Sequence, residues 1–166
     1  MPTIHPTGWR ELEVTGQAVR EIETLRLLAD QLPDALAVYH GVHWTRIEHG
    51  FSVIGEIDFV IVGPSGRLLL IEQKSGFLKE GSEGLLKTYQ GKEKNVAAQL
   101  KRTIETLSTR LAGVLQGQPL RMDYLLYCPD YIVRSPATAG LPPERIVDAN
   151  RRGELCRRIT AAFSDE

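Results

Sequence analysis

The stretch from Gly55 to Gly76, GEIDFVIVGPSGRLLLIEQKSG, constrains the fold of this chain more than any other. Two runs rich in strand-forming residues, 57–62 and 68–73, flank the sequence Gly63-Pro64-Ser65-Gly66. Such runs on either side of a short Gly/Pro turn are typical of an antiparallel β-hairpin. Apolar residues on both faces of the first run further indicate a strand that is buried on both sides.

The register of this hairpin decides where its charged residues lie. A loop with an odd number of residues, centred on Ser65, gives four opposite pairs: Val62–Leu68, Val60–Leu70, Asp58–Glu72 and Glu56–Lys74. A loop with an even number would put the two carboxylates of Asp58 and Glu72 on opposite faces. The odd register matches apolar with apolar and charged with charged residues, so it is the one that we predict.

In this register the carboxylates of Asp58 and Glu72 lie side by side. Opposite Cβ atoms are roughly 5 Å apart, and carboxylates at that distance repel each other unless a cation lies between them. Mg²⁺ binds few protein carboxylates and keeps waters, which leaves positions for a phosphate and an attacking water. Lys74 could then orient or deprotonate that water, or stabilise the transition state. The alternative is an exposed face on which Glu56 and Asp58 form ion pairs with Lys74, but the apolar surroundings favour a metal site.

The pattern of Asp58 and Glu72-Gln73-Lys74, between a helix with acidic residues and a helix that carries Gln99, resembles the PD-(D/E)XK nuclease superfamily. Within it, the chain resembles the NERD (nuclease-related domain) family. The resemblance runs from about residue 16 to about residue 111 and includes the motifs E-I-D-F-V-I-V, L-L-L-I-E-Q-K-S-G and K-N-V-A-A-Q-L. The segment 75–77 is shorter than the aromatic-containing spacer common in the family, so the loop after Lys74 is expected to differ.

The resemblance implies a nuclease that requires Mg²⁺ or Mn²⁺ and hydrolyses phosphodiester bonds of nucleic acid, with DNA as the favoured substrate. It implies DNA processing or repair beside a helicase, in the same chain or as a partner. Asp58 and Glu72 would bind the metal, and a helical acid, Glu21 or less well Glu23, would complete the site. Gln99 would contact the site or the scissile phosphate. Two alternatives remain: a catalytically inactive nucleic-acid-binding or docking module with the same fold, and a purely structural or protein-interaction domain.

The helical acid lies in a first helix that is predicted from Thr15 or Gly16 to Pro33-Asp34. Its apolar residues recur at helical spacing: Val19, Ile22, Leu25, Leu28, Ala29 and Leu32. Glu21 lies beside this apolar stripe, whereas Glu23 shares its face with Arg26. Glu21 is therefore the better inward candidate, and surface ion pairs with nearby arginines are the alternative for both.

Two predicted loops surround the hairpin. Residues 35–44 form the first predicted strand, in which His40 and His43 point to opposite faces, so shared metal binding is not expected. Residues 45–52 read as a polar loop, and residues 77–94 as a long loop with at most one helical turn. The long loop carries Tyr89 and several lysines, which could stack a base and contact a phosphate backbone. A mobile, solvated flap is the alternative.

Asn95 is a good N-cap for a long helix that follows. The N-terminal end of a helix favours anions, and Gln99 lies in the first turn with Arg102 on the same face. Four residues are therefore the substrate-binding candidates: Gln99, Lys92, Lys94 and Arg102. An exposed polar helix face is the alternative for Gln99.

The remainder predicts a strand at 122–127, a Pro/Gly-rich loop at 135–143, a short strand at 145–148 and a final helix at 153–163. The whole order predicts a three-layer α/β/α, restriction-endonuclease-like domain with a mixed central sheet. Residues 1–15 are expected to be an irregular arm, and residues 16–166 a single domain.

Composition limits the partners. With 20 Lys and Arg against 21 Asp and Glu, the formal net charge is -1, so any nucleic-acid surface must be a local patch. No apolar run approaches the roughly 20 residues of a membrane span, and no signal-peptide core is present, which predicts a cytoplasmic location without membrane contact. Cys128 and Cys156 lack metal-site spacing and are expected to be free thiols.

Overall fold

The computed structural model describes residues 1–12 and 15–166. Its strands, in chain order, are β1 (Thr3–His5), β2 (Ala37–Glu48), β3 (Phe51–Val62), β4 (Leu68–Gln73), β5 (Lys79–Gly81), β6 (Gly84–Tyr89), β7 (Lys92–Asn95), β8 (Met122–Tyr127) and β9 (Ile146–Val147). Its α-helices are α1 (Gln17–Gln31), α2 (Val96–Leu115) and α3 (Leu155–Ala162), and its 3-10 helices are Trp9–Glu11, Pro143–Arg145 and Ala149–Glu154.

Six strands form a mixed sheet in the order β1-β2-β3-β4-β8-β9. The pairs β1–β2 and β8–β9 are parallel, whereas β2–β3 and β3–β4 are antiparallel. The predicted α/β class with a mixed central sheet is confirmed, and it is consistent with a restriction-endonuclease-like fold. No helix in the described part of the chain is long and apolar enough to cross a membrane.

The chain divides into two compact units. The first contains Met1–Ile71, Arg121–Asp123 and Cys156–Glu166, and the second contains Glu72–Leu120 and Tyr124–Leu155. The prediction of a single domain over residues 16–166 concerns independent folding, and it stays a prediction.

In the first unit, α1 buries the apolar stripe that predicted it. Ile22, Leu25 and Leu28 are buried, whereas Val19 at the start of the stripe is 39% exposed. Gly16 precedes the helix with a φ of +65°, and the extended residue Leu32 ends it before Pro33. The helix is therefore bounded by the same Gly and Pro signals that the sequence showed.

The hairpin of β2 and β3 is longer than predicted. Residues 45–52 were expected to form a loop, but Glu48 pairs with Phe51 and the ladder continues to Ala37 and Val62. His49 and Gly50 close it with φ values of +49° and +81°, which is the geometry of a tight hairpin turn. Most side chains near this turn are exposed, so the alternation that marks a half-buried strand was absent from the sequence.

The expected irregular arm also contains regular structure. Thr3–His5 pairs in parallel with residues 37–39 of β2, and the 3-10 helix Trp9–Glu11 follows. A strand of three residues is too short to show periodicity, so pairing with β2 decides its conformation.

The register of β3 and β4 agrees with the odd loop. Val62 lies opposite Leu68 and Val60 opposite Leu70, and the ladder ends at the pair Phe59–Ile71. The turn is closed by the Gly63 amide, which donates to the Arg67 carbonyl oxygen over 3.0 Å. The predicted apolar pairs are therefore confirmed.

In the second unit, residues 77–94 are not the predicted loop. They form most of a separate three-stranded antiparallel sheet, in the order β5-β6-β7. Gly84 and Gly91, with φ values of +109° and +78°, lie at its turns. These glycines were interpreted as loop signals, although they close two short hairpins.

Helix α2 begins as predicted at Asn95. The Asn95 Oδ1 atom accepts a hydrogen bond from the Ala98 amide over 2.9 Å, and its Nδ2 atom donates to the Glu83 carbonyl oxygen over 2.7 Å. The helix ends at Gln116, which adopts a left-handed conformation with a φ of +49°. The N-cap thus connects α2 to the turn between β5 and β6.

The carboxyl-terminal elements follow the predicted order with shifted boundaries. Strand β8 is confirmed at 122–127, the short strand is limited to Ile146–Val147, and the final helix begins as a 3-10 helix before α3. Cys128 and Cys156 are free and buried, as predicted. Burial raises the pKa of the Cys128 thiol to about 12 and that of Cys156 to about 11, which is typical of thiols that pack in a core.

Candidate active site

The end of β4 in the second unit holds a buried ion pair. Lys74 is only 5% exposed, and its Nζ atom donates hydrogen bonds to Glu72 Oε1 over 2.7 Å and to the Tyr89 hydroxyl over 3.1 Å. Glu72 and Lys74 are two residues apart on a strand, so their side chains leave the same face, as predicted. The backbone continues the sheet, because the Lys74 amide donates to the Tyr127 carbonyl oxygen over 2.8 Å.

The surroundings of Lys74 set its protonation state. Burial by itself lowers the pKa of the amine, but the Glu72 carboxylate and Tyr89 outweigh it, and the pKa lies above its ordinary value. Beside Glu72 and Tyr89, Lys74 is therefore an ammonium at neutral pH and donates hydrogen bonds to both. Two of its three N–H groups bind Glu72 and Tyr89, and the third has no partner in the part of the chain that the structure describes.

Asp58 belongs to the first unit and lies on β3, where it is 8% exposed. The last pair of the β3–β4 ladder is Phe59–Ile71. Asp58 directly precedes Phe59, and Glu72 directly follows Ile71. A buried carboxylate requires compensating partners, and Asp58 does make interactions with its surroundings. The predicted opposition of Asp58 to Glu72, and of Glu56 to Lys74, lies beyond the ladder and stays a prediction.

Glu21 is the inward residue of the two helical acids. Its side chain is 20% exposed, and its Oε2 atom lies 2.8 Å from His40 Nε2. Glu23 is exposed and lies 3.6 Å from an Arg20 nitrogen. The preference for Glu21 as the inward acid is confirmed, whereas its part in a metal site is untested.

His40 is a partner that the sequence did not reveal. Its side chain is 12% exposed, and its ring lies 5.3 Å from the ring of Phe59, the residue opposite it on β3. Side chains alternate along a strand, so Asp58 leaves the face of β3 opposite to Phe59. The contact between Glu21 and His40 therefore lies on the other face of the sheet from Asp58. A contact over 19 residues had no signal in local spacing.

Gln99 carries an unsatisfied polar atom. Its Oε1 atom is buried and accepts no hydrogen bond from the described residues. A buried acceptor without a partner costs about 1–3 kcal/mol, and in native proteins such groups are usually satisfied by water or a ligand. The atom is therefore available to accept a hydrogen bond from a water or a ligand near the first turn of α2.

The basic candidates are all exposed in the second unit. Lys92 and Lys94 lie on β7, and Arg102 lies on α2. The Nζ atom of Lys94 is 5.5 Å from the centre of the Tyr89 ring. The predicted flap is therefore a hairpin that presents its lysines from a paired strand.

The predicted site residues carry oxygen atoms of the kind that small divalent cations bind. Mg²⁺ and Mn²⁺ favour carboxylate, carbonyl and water oxygens, and Mg²⁺ usually takes only one or two carboxylates beside its waters. Asp58 and Glu72 would supply carboxylates and Gln99 a carbonyl, whereas the Glu21 carboxylate contacts His40 on the face of the sheet opposite to Asp58. Within residues 1–12 and 15–166, however, no group of three or more His, Cys, Asp or Glu side chains is arranged to hold a metal ion.

Comparison with protein families matches residues 16–133 to the model described as Nuclease-related domain, NERD. No curated protein and no solved structure matches the chain. The match begins at the start of α1 and extends beyond β8, so it includes every residue that was predicted for the site.

Proposed function

The chain belongs to the nuclease-related domain family, and from this premise we propose that it is a nuclease that uses Mg²⁺ or Mn²⁺ to hydrolyse phosphodiester bonds of nucleic acid, with DNA as the first substrate to test. The observation that carries the proposal is the buried Lys74 ammonium beside Glu72, with one N–H group for which the described residues provide no acceptor. A permanent cation at a strand end is suited to an anionic phosphate. Action beside a helicase, in the same chain or another, forms part of the proposal.

In this proposal, Asp58 and Glu72 hold the cation. The confirmed β3–β4 register supports this assignment, because extending it by one residue on each strand makes the two acids opposite. The bound ion would lower the pKa of a coordinated water and neutralise charge on the phosphate. The family resemblance also assigns Glu21 to the metal site, directly or through water, but its contact with His40 lies on the face of the sheet opposite to Asp58, so a change of its rotamer alone would not bring it to this cation.

Lys74 has the role of a positively charged hydrogen-bond donor. We assign it to orienting or activating the hydrolytic water and to stabilising negative charge on the phosphoryl oxygens; the Glu72 carboxylate, which raises the pKa of the amine, favours the charged form and hence the role of a hydrogen-bond donor. Gln99 would accept a hydrogen bond from that water or position the substrate. Exposed Lys92, Lys94 and Arg102 would contact neighbouring phosphates.

The second candidate is a nucleic-acid-binding module without turnover. One observation favours it: the described residues hold no group of three or more metal-donor side chains. The two candidates differ in one property, the cleavage of bound nucleic acid.

The test compares cleavage of labelled single-stranded and double-stranded DNA, and of RNA, with Mg²⁺, with Mn²⁺ and with a chelator. We expect metal-dependent cleavage that falls at least about 100-fold in Lys74→Ala, the usual effect of losing a donor to a developing anion. Arg26→Ala removes an equal charge from an exposed position of α1 and is the control. Binding without cleavage in either metal would support the second candidate, and the absence of both binding and cleavage would exclude both.

A further inference from the structure

Tyr89 occupies a fixed position in the second unit. It is the last residue of β6 and lies opposite Lys92 on β7. The turn that follows, Gln90-Gly91, has φ values of +49° and +78°, and two successive positive φ values are typical of the type I′ turns that match the twist of paired strands. Its backbone is therefore held by a regular hairpin.

The side chain of Tyr89 contacts two lysines. Its hydroxyl oxygen accepts a hydrogen bond from Lys74 Nζ over 3.1 Å. Its ring centre lies 5.6 Å from Lys74 Nζ and 5.5 Å from Lys94 Nζ, within the range of cation–π attraction. The hydroxyl and the ring thus make separate contacts, which two substitutions can distinguish.

A second contact ties β6 to the backbone after Lys74. The Nζ atom of Lys87 donates to the Ser75 carbonyl oxygen over 2.6 Å and lies 3.4 Å from the Phe77 carbonyl oxygen. Lys87 and Tyr89 are two residues apart on β6, so both side chains leave the same face. The face of β6 that carries Lys87 and Tyr89 therefore contacts both the Lys74 side chain and the backbone of residues 75–77.

The geometry of the ammonium explains why a second acceptor matters. An ammonium held by Glu72 alone can rotate about its carbon chain and around one hydrogen bond, so its remaining N–H groups have no fixed direction. An acceptor on a rigid hairpin removes this freedom. With the Glu72 and Tyr89 oxygens both bound, the direction of the third N–H group is fixed.

We propose that Tyr89 is a positioning residue: its hydroxyl holds the Lys74 ammonium so that the third N–H group points at an anionic oxygen of the substrate. The inference rests on the proposed function, since it gives Lys74 a phosphate to bind. Tyr89 itself acts through Lys74. The Tyr89 ring contributes separately, because it holds the ammonium of Lys94, on the paired strand β7, near the ring.

The first test does not depend on cleavage. Solvent exchange of the Lys74 ammonium protons is measured by ¹⁵N NMR, and the signal is assigned by its absence in Lys74→Met. We expect Tyr89→Phe to accelerate this exchange about tenfold, as the loss of a hydrogen bond to a charged group predicts. Tyr39→Phe, which changes a half-exposed tyrosine of β2, is the matched control and should leave exchange unchanged. Unchanged exchange in Tyr89→Phe would overturn the inference.

The second test uses the reaction. With the metal that supports cleavage by the wild type, Tyr89→Phe should lower kcat about tenfold at an unchanged KM, with an unchanged thermal midpoint. Tyr89→Ala also removes the ring and should raise KM as well, and Tyr89→Phe should restore that KM. Faster exchange with an unchanged kcat would refute the positioning role. If the wild type cleaves nothing, the proposed function fails, while the exchange measurement still decides whether Tyr89 holds Lys74.

Discussion

At the scale of single residues, the pairing of Lys74 with Glu72 has a consequence for stability. Both side chains are largely buried, and removing one partner of a buried ion pair typically costs about 3–5 kcal/mol because the other charge stays buried. The sequence predicted the shared face of these two residues, since alternation along a strand requires it. It did not predict Tyr89 as the third member, because the contact joins two separate sheets.

We therefore predict that Lys74→Met destabilises the protein by about 3 kcal/mol at pH 7. The folded pKa of Lys74 is raised, so the stabilisation is fully present below the unfolded lysine pKa of about 10.4 and is lost as pH rises through the folded pKa. Denaturant unfolding of both proteins at pH 7 and at increasing alkaline pH measures the difference. A difference that grows above pH 10.4 would contradict the assignment.

The acids of the candidate site show the limit of prediction from sequence. The odd hairpin register, and with it the environment of Asp58 on β3, followed from matching apolar residues across the turn. The inward position of Glu21 followed from helical spacing. The contact between Glu21 and His40 did not, because periodicity gives the face on which a residue lies but not the residue that it meets on another element.

At the scale of elements, strands were recognised where they are buried and missed where they are short or exposed. Strand β8 and the apolar part of β3 have strong patterns and were predicted within a residue or two. Strands β5, β6 and β7 have three to six residues each and are joined by glycine-containing turns. In such segments the turn signals outnumber the strand signals, and cross-strand pairing decides the structure.

The β2–β3 hairpin permits a sharp test of packing. The indole of Trp44 lies over Gly55, where an added Cβ would come within 2.4 Å of the ring. We expect Gly55→Ala to lower the free energy of unfolding by about 1–3 kcal/mol, since the buried indole of Trp44 cannot move away without a shift of the strand. Thermal or denaturant unfolding gives the measurement.

Gly113→Ala is the matched control for this substitution. Gly113 is inside α2, and no described atom outside the backbone of its own helix lies within 4 Å of an added Cβ there. Because alanine favours a helix more than glycine does, the free energy of unfolding of this variant should rise by about 0.5–1 kcal/mol. Equal effects of the two substitutions would mean that Trp44 does not restrict Gly55.

At the scale of the whole molecule, charge sets the expected mode of nucleic-acid binding. The formal net charge is -1, so long-range attraction is weak and binding must depend on a few local contacts. Lys92, Lys94 and Arg102 are the exposed candidates in the second unit. The order of the longer elements was predictable because recognisable breaks separate them, whereas the short strands β1, β5, β6 and β7 were missed. The net charge of the chain cannot locate a patch of three exposed residues.

We predict that DNA affinity depends only modestly on salt. Three phosphate contacts give a slope of log K against log salt of about -3, and Lys92→Ala should reduce its magnitude by about 1. Fluorescence anisotropy at several salt concentrations measures the slope, with Arg26→Ala as the control that leaves it unchanged. A much steeper slope would indicate a larger contact surface than these residues provide.

The main chain of Lys74 also matters for how experiments on it are interpreted. Its amide is bonded to Tyr127, so β4 is anchored to β8 by atoms that no substitution of the side chain, other than proline, removes. Exchange of the side chain therefore leaves the atoms of this backbone hydrogen bond in place, while it removes the partner of the buried Glu72 carboxylate. Unfolding curves consequently separate the two effects of a Lys74 knockout, because only a variant that is folded under the assay conditions reports on the loss of the amine.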